Sequence, residues 1–171
     1  MMLHTLTLRL IAREEARLGE NADWLRELLA LSPTAFWKFV LFTPLSRHRM
    51  AASPGCWHAA RITAVWLEDC GSCLNTVLAM AAADGLPQHW QRQLLEAPAS
   101  LPDDERLARA FAAAVVANDP ALTAIRENLQ AMIGEIAVAE LAVAIAAARV
   151  FPVLKRGLGH GGICALGTMN R

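Results

Sequence analysis

Two cysteines three residues apart stand between two apolar stretches that have the spacing of α-helices. Around the sequence Asp69-Cys70-Gly71-Ser72-Cys73, residues that share one helical stripe recur every three or four positions: Ile62, Trp66, Cys70, Cys73, Val77 and Met80. Gly71 is unfavourable inside a helix and tolerable in its first turn, so we predict that a new helix begins at Asp69 or Cys70. Both sulfurs would then be close enough to form a disulfide.

The predicted position of the thiols favours redox chemistry. Free backbone N–H groups and the positive end of the helix dipole at a helix start stabilise a thiolate. A second thiol one turn away can resolve the oxidised product as a disulfide. Cys70 is expected at the accessible edge and Cys73 deeper in the first turns. Two inert cysteines in an alanine-rich core, or half of a metal site, are the alternatives that we weigh below the redox pair.

The metal alternative would combine the thiol pair with an upstream segment. Cys56, His58, Cys70 and Cys73 together make a Cys₃His set of the kind that holds zinc. The Cys-x-His spacing does not place both ligands on one helical face, so we expect no metal and no cofactor. Cys164 is most simply a free thiol in the C-terminal segment.

Two carboxylates immediately before the pair could act on its protons. As general bases, Glu68 and Asp69 could take a thiol proton directly or through water. If ionised nearby they would also raise the thiol pKa by charge repulsion. A helix-capping Asp69 and a solvated Glu68 are equally consistent with the sequence.

The segment from Arg61 to Gly85 resembles the alkylhydroperoxidase D-like group of the carboxymuconolactone decarboxylase-like superfamily. The resemblance rests on a helix that enters C-x-x-C and an Ala/Met-rich helix that leaves it. It implies an all-α, oligomeric protein that reduces hydroperoxides, with Cys73 attacking the peroxide and Cys70 resolving the product. The decarboxylase branch typically lacks the cysteine pair, so its reaction is not implied.

Two positions depart from the proton relay of that group. Val77 stands where the group has a histidine, and His58 stands where it has a glutamate twelve residues before the first cysteine. An imidazole can carry protons near neutral pH, so His58 is a candidate relay residue. A structural histidine beside Trp57 is the competing interpretation.

The composition indicates an oligomer and excludes some partners. Formal net charge is zero, which gives no electrostatic case for nucleic acid. Hydrophobic residues make up 55% of the chain, which points to a membrane or a subunit interface. The longest apolar candidate, Ala131–Val150, is interrupted by charged residues, and the N-terminus does not have the pattern of a signal peptide. We expect a cytoplasmic homo-oligomer, a trimer or a multiple of one, away from any membrane.

The pass along the chain predicts one all-helical domain over residues 1–171 with about seven helices. The C-x-x-C core spans about 56–118, and a loose glycine-rich tail spans 157–171. Ser32-Pro33 signals a helix start, and the helix it opens carries Phe36, Trp37, Phe39 and Phe42 for the core or a subunit contact. One long last helix is expected from Asp119-Pro120 to about Phe151.

The stretch from Thr43 to Gly55 is predicted to be a loop. It is either a solvated connection or a lid over the thiols, in which Arg47 and Arg49 could bind an anionic group. Together these observations predict a thiol–disulfide oxidoreductase that reduces a small hydroperoxide and is recycled by a dithiol. A non-catalytic helical oligomer that kept the fold and lost the relay is the second hypothesis.

Overall fold

The computed structural model describes residues 2–160, without the side chains at 2–5, 17 and 18. Over these residues the chain forms nine α-helices and one short 3₁₀ turn at Pro98–Ser100, and no β-strand. The helices are α1 Met2–Leu18, α2 Asp23–Leu31, α3 Pro33–Ser46, α4 Pro54–Leu67, α5 Gly71–Ala83, α6 Gln88–Glu96, α7 Asp103–Ala117, α8 Leu122–Ile133 and α9 Glu135–Gly157. The all-α prediction is confirmed, and the tail beyond residue 160, with Cys164, lies outside the described residues.

Serine–proline pairs open two of the helices. The Ser32 hydroxyl accepts a hydrogen bond from the Ala35 amide at 3.4 Å, and Pro33 is the first residue of α3. Ser53 accepts from the Cys56 amide at 3.2 Å, and Pro54 is the first residue of α4. Each serine satisfies an N–H group that would otherwise have no partner inside the helix. The predicted start at Ser32-Pro33 is confirmed.

Three predicted boundaries are wrong. α3 continues through Pro44 to Ser46, so the predicted loop from Thr43 loses its first turn to the helix. The expected long last helix is two helices, because Gly134 has a φ of 87°, a conformation that favours glycine. α9 then continues through Pro152, whose missing N–H removes only one helical bond in a well-packed helix. The described residues hold nine α-helices, where about seven were expected.

α4 is the central helix of the larger core. Every residue from Gly55 to Val65 is buried, because α5, α7 and α9 all pack against it. The core cluster also includes α9 residues, among them Leu141 and Ile145. α4 and α5 are consecutive helices joined by three residues, and they pack together as a hairpin.

A smaller cluster holds the N-terminal helices together. Its buried members come from α1, the α1–α2 connection, α2 and α3: Ile11, Ala22, Leu28, Leu29 and Phe36. Phe39 of α3 meets Phe151 of α9 edge to face, with ring centroids 5.5 Å apart, which ties this cluster to the larger core. A cavity remains between the two clusters.

By length and composition alone, α9 is long and apolar enough to cross a membrane. Its most apolar window has a mean hydropathy of 2.0, so the sequence argument that no segment is long and apolar enough does not hold for the helix that forms. Half of that window is buried against the rest of the chain, as in the core helix of a globular protein. Apolar length alone therefore does not distinguish the two situations here.

Candidate functional site

The C-x-x-C pair lies at the turn between α4 and α5. α4 ends at Leu67, Asp69 adopts a left-handed φ of 54°, and Cys70 is the N-cap of α5. Aspartate tolerates this backbone conformation better than most residues, which allows the chain to reverse direction within three positions. The predicted helix start is confirmed, with Cys73 in the first turn.

The two sulfurs are paired and both are buried. Cys70 and Cys73 form a disulfide with their Cα atoms 5.2 Å apart. Their exposed fractions are 3% and 6%. The prediction that Cys70 lies at an accessible edge is therefore wrong. Cys73 lines the cavity between the two clusters, and Cys70 is not among the residues that line it. Access to the pair from the cavity is therefore through Cys73.

A buried lysine from the far end of the chain reaches the pair. The Lys155 ammonium on α9 donates a hydrogen bond to the Ser72 hydroxyl at 2.8 Å, and the lysine is 8% exposed. The Ser72 hydroxyl is 3.9 Å from the Cys70 sulfur. A cation in this position favours a thiolate once the disulfide is reduced. Sequence reasoning missed Lys155, because no local pattern connects it to a serine 83 positions away.

Glu68 is an ion-pair residue in the structure. Its carboxylate accepts from Arg149 and Arg156, each at 2.5 Å, and Arg156 also donates to the Glu68 carbonyl at 2.8 Å. Burial raises the pKa of Glu68, but the bonds from both arginines outweigh it and hold that pKa below its usual value. A carboxylate held ionised by two cations is a weak proton acceptor, so Glu68 is a poor general base. Its bonds to the two arginines connect α9 to the turn that carries the thiols.

His58 lies at the other end of the α4–α5 hairpin. Its Nε2 is 2.9 Å from Asp84, the C-cap of α5, eleven residues beyond Cys73 and thus roughly 16 Å along the helix axis. The structure therefore brings Glu68, Asp69 and both cysteines together but not His58. His58 lies twelve residues before Cys70, on the first helix of the hairpin. It is therefore nearly one helix length away from the turn.

His58 is held in its neutral form. It is fully buried, and its Nδ1 has no hydrogen-bond partner. Since Asp84 can only accept when ionised, we assign the ring proton to Nε2 and leave Nδ1 as the unpaired acceptor. Burial lowers the pKa of His58 against the opposing effect of the bond to Asp84. Arg49 is also within 3.7 Å of Asp84.

The zinc set of the sequence analysis is not assembled. Cys56 lies near the start of α4 with its sulfur 3.4 Å from a carboxylate oxygen of Asp104, and burial raises its pKa to about 12. Within residues 2–160, no group of three or more His, Cys, Asp or Glu side chains is arranged to hold a metal ion. Val77 is buried and lines the cavity beside Cys73, so no proton carrier stands at that position.

The connection between α3 and α4 is fastened to α9. The amides of Met50, Ala51 and Ala52 all donate to the buried carboxylate of Glu140, at 2.9 to 3.1 Å. These bonds lower the pKa of Glu140, led by the one from Ala52. A segment held this way does not fit the lid hypothesis. It lies toward the His58 end of the hairpin, where Arg49 approaches Asp84.

Comparisons with known proteins do not identify the function of this site. A scan against protein-family models, a search of curated proteins and a search of solved structures find no match to this chain. The resemblance to the alkylhydroperoxidase D-like group therefore stays a prediction from the C-x-x-C segment.

Proposed function

We propose that this protein is a thiol–disulfide oxidoreductase that reduces a small hydroperoxide, as the alkylhydroperoxidase D-like resemblance implies. Cys73 attacks and Cys70 resolves. The observation that carries the proposal is that Cys73, in the first turn of α5, lines a cavity of about 700 Å³ while Cys70 does not. A substrate in the cavity would meet the Cys73 sulfur first.

The reaction balances with one external reductant. The Cys73 thiolate attacks the terminal peroxide oxygen, the O–O bond breaks, and the alkoxide takes a proton to leave as an alcohol. Cys73 is then a sulfenic acid. The Cys70 thiolate attacks that sulfur and expels hydroxide, which is protonated to water, and the disulfide forms. A dithiol supplies two electrons and two protons to restore both thiols.

The thiolate would be stabilised without the relay of the related group. The N-terminal amides of α5 and the Lys155 ammonium supply positive potential at the pair. His58 is too distant to exchange protons with it directly, and Val77 carries none. We therefore expect peroxide reduction to be slow compared with an enzyme that has a positioned general base.

Peroxide-consumption kinetics with dithiothreitol as reductant test the proposal. Wild-type protein should consume cumene hydroperoxide catalytically, and Cys73→Ser should lose on the order of 10³-fold or more, because the nucleophile is removed. Cys56→Ser, a buried cysteine outside the pair, is the matched control and should keep its activity. A wild-type protein that consumes no peroxide would instead favour the non-catalytic helical oligomer.

We also propose that the chain is a homo-oligomer, a trimer or a multiple of one. Large apolar residues that are exposed on α3 and at the end of α2 support this: Leu31, Trp37, Val40, Leu41 and Leu45. Phe36 of the same helix is buried. Leu41 alone is 77% exposed. Trp37, Leu41 and Leu45 are four positions apart and share one face of α3, and an exposed apolar helix face is typical of a protein–protein interface.

Analytical ultracentrifugation tests the oligomer. Wild-type protein should sediment as an oligomer, and Leu41→Glu should dissociate it because a carboxylate would be buried in the contact. Glu substituted at Ala99, exposed and far from α3 in the chain, is the control. A wild-type protein that stays monomeric at high concentration contradicts the proposal. The cytoplasmic location stays a prediction from the sequence.

A further inference from the structure

The cavity between the two hydrophobic clusters has the size and lining of a ligand site. Its volume of about 700 Å³ falls within the range of about 300 to 1,000 Å³ that is typical of small-molecule pockets. α1, α2 and α3 supply one side, and α4, α5 and α9 supply the other. Most of the wall is apolar, including Trp24, Phe36, Phe39, Val65, Val77 and Phe151.

One side chain in this wall is a buried cation without an anionic partner. Arg61 on α4 is 3% exposed and lines the cavity. Its guanidinium stacks over Trp57 at 4.3 Å, its terminal nitrogens reach only the Met80 sulfur at 3.8 and 3.9 Å, and its Nε has no hydrogen-bond partner. Burial lowers the pKa of Arg61 to about 10, so it remains charged at neutral pH.

Two of the three acidic residues that line the cavity are engaged with other cations. Glu15 binds Arg26, and Glu14 lies 3.8 Å from Arg47. Asp84, which acts on Arg61 through its charge, lies 3.7 Å from Arg49 and bonds to the neutral His58. Within the described part of the chain, no carboxylate lies within 4.0 Å of the Arg61 guanidinium. Burying a guanidinium without an anion costs free energy of folding. An anionic ligand from outside the chain would offset this cost.

We propose that this cavity binds an amphipathic monocarboxylate, whose carboxylate pairs with Arg61 and whose aliphatic chain extends along the apolar wall toward Cys73. A planar guanidinium matches a carboxylate with two parallel hydrogen bonds, and one positive charge balances one negative charge. Met80, beside the guanidinium, is seven residues beyond Cys73, or roughly 10 Å along α5. The wall between them includes Val77 and Val65.

This inference deepens the proposed function, because it assigns the substrate class: a hydroperoxide carried on the chain of an aliphatic carboxylic acid. Binding itself does not need the thiols to react. The two proposals therefore fail separately. Binding can be measured on Cys73→Ser, which is expected to be inactive, and peroxide consumption can be measured with a neutral hydroperoxide that has no carboxylate.

Calorimetric titration of the full-length chain with decanoate tests the site, with decanol as the uncharged probe of equal chain length. Wild-type protein should bind decanoate at least tenfold more tightly than decanol. Arg61→Met, which keeps an unbranched apolar side chain and removes the charge, should lose that preference and keep its affinity for decanol. Arg92→Met removes an exposed arginine of α6 that does not line the cavity and should change the decanoate affinity less than twofold.

Equal affinity of wild-type protein for decanoate and decanol would overturn the proposal, as would decanoate affinity that survives Arg61→Met. The absence of saturable binding of either probe would overturn it too. Should Arg61→Met fail to fold by circular dichroism, the comparison of decanoate with decanol on wild-type protein still decides the outcome.

Discussion

The two ends of the α4–α5 hairpin carry different chemistry, although the sequence analysis places their residues in one candidate site. The turn end holds the Cys70–Cys73 disulfide, with Lys155 and the doubly paired Glu68 from its surroundings. The open end holds a neutral His58 bonded to Asp84, and Arg61 lies one turn further in. Thiols and imidazole are separated by roughly the length of α5.

This difference separates the thiol pair from His58, the candidate relay residue of the sequence analysis. The positive groups near the sulfurs come from the N-terminus of α5 and from α9, not from α4. His58 and Arg61 of α4 instead lie buried toward the far end, where His58 bonds to Asp84 and the Arg61 guanidinium stacks over Trp57. The two ends should therefore respond differently to substitution.

Removing the cation at the thiol end should have the larger effect on reactivity. In Lys155→Met we expect the pKa of the reduced pair to rise, because the neighbouring cation is lost, and the thiolate fraction near pH 7 to fall about tenfold. The pH profile of iodoacetamide alkylation of the reduced protein measures this, and a merely structural lysine would leave the profile in place. Arg92→Met, which alters an exposed cation on α6, serves as the control.

Glu68→Gln should affect stability more than chemistry. Glu68 is 8% exposed, but Arg149 and Arg156 are 38% and 46% exposed, so solvent screens both ion pairs. We expect a loss of about 1–2 kcal/mol in the free energy of unfolding, measured by urea denaturation. The peroxide rate should change less than about threefold, whereas loss of a general base would cost about 10²-fold or more. A fall of that size would restore Glu68 as the base.

His58→Gln should leave the peroxide rate within about twofold of wild type, because the imidazole is remote from Cys73. Its effect should appear in the pH dependence of stability. The folded pKa of His58 is lowered, so the unfolded chain binds the proton more tightly. Stability of wild type should therefore fall as pH drops below the unfolded value of about 6.5, by at most about 1.4 kcal/mol per pH unit for this proton.

Thermal unfolding of wild type and His58→Gln between pH 7 and pH 5 checks this sign. The difference in the free energy of unfolding between the two proteins should shrink toward acid pH. Only wild type loses stability there, because its unfolded chain binds a proton that the buried imidazole does not. Carboxylates with lowered pKa values, such as Glu140, lose their contribution at more acid pH and do not interfere in this window. A rate loss in His58→Gln comparable to that of Lys155→Met would contradict the separation of the two ends.

Local signals predicted the helices, and long-range contacts escaped prediction. The break at Gly71 and the Ser32-Pro33 pair each act within one turn, so the helix starts at α5 and α3 follow from the sequence. The position of His58 depends on how α4 folds back against α5, which the spacing of the group that the segment resembles does not specify. Lys155 depends on the docking of α9, and no sequence period encodes that.

The proposed mechanism depends most on Cys73 being the sulfur that meets the substrate. Mass analysis after brief peroxide treatment of Cys70→Ser and Cys73→Ser, with dimedone to trap sulfenic acid, tests this directly. We predict that Cys70→Ser accumulates the adduct on Cys73, and that Cys73→Ser remains largely unmodified at Cys70 because Cys70 does not line the cavity. The reverse pattern would contradict the assignment, and no adduct in either variant would contradict the oxidoreductase itself.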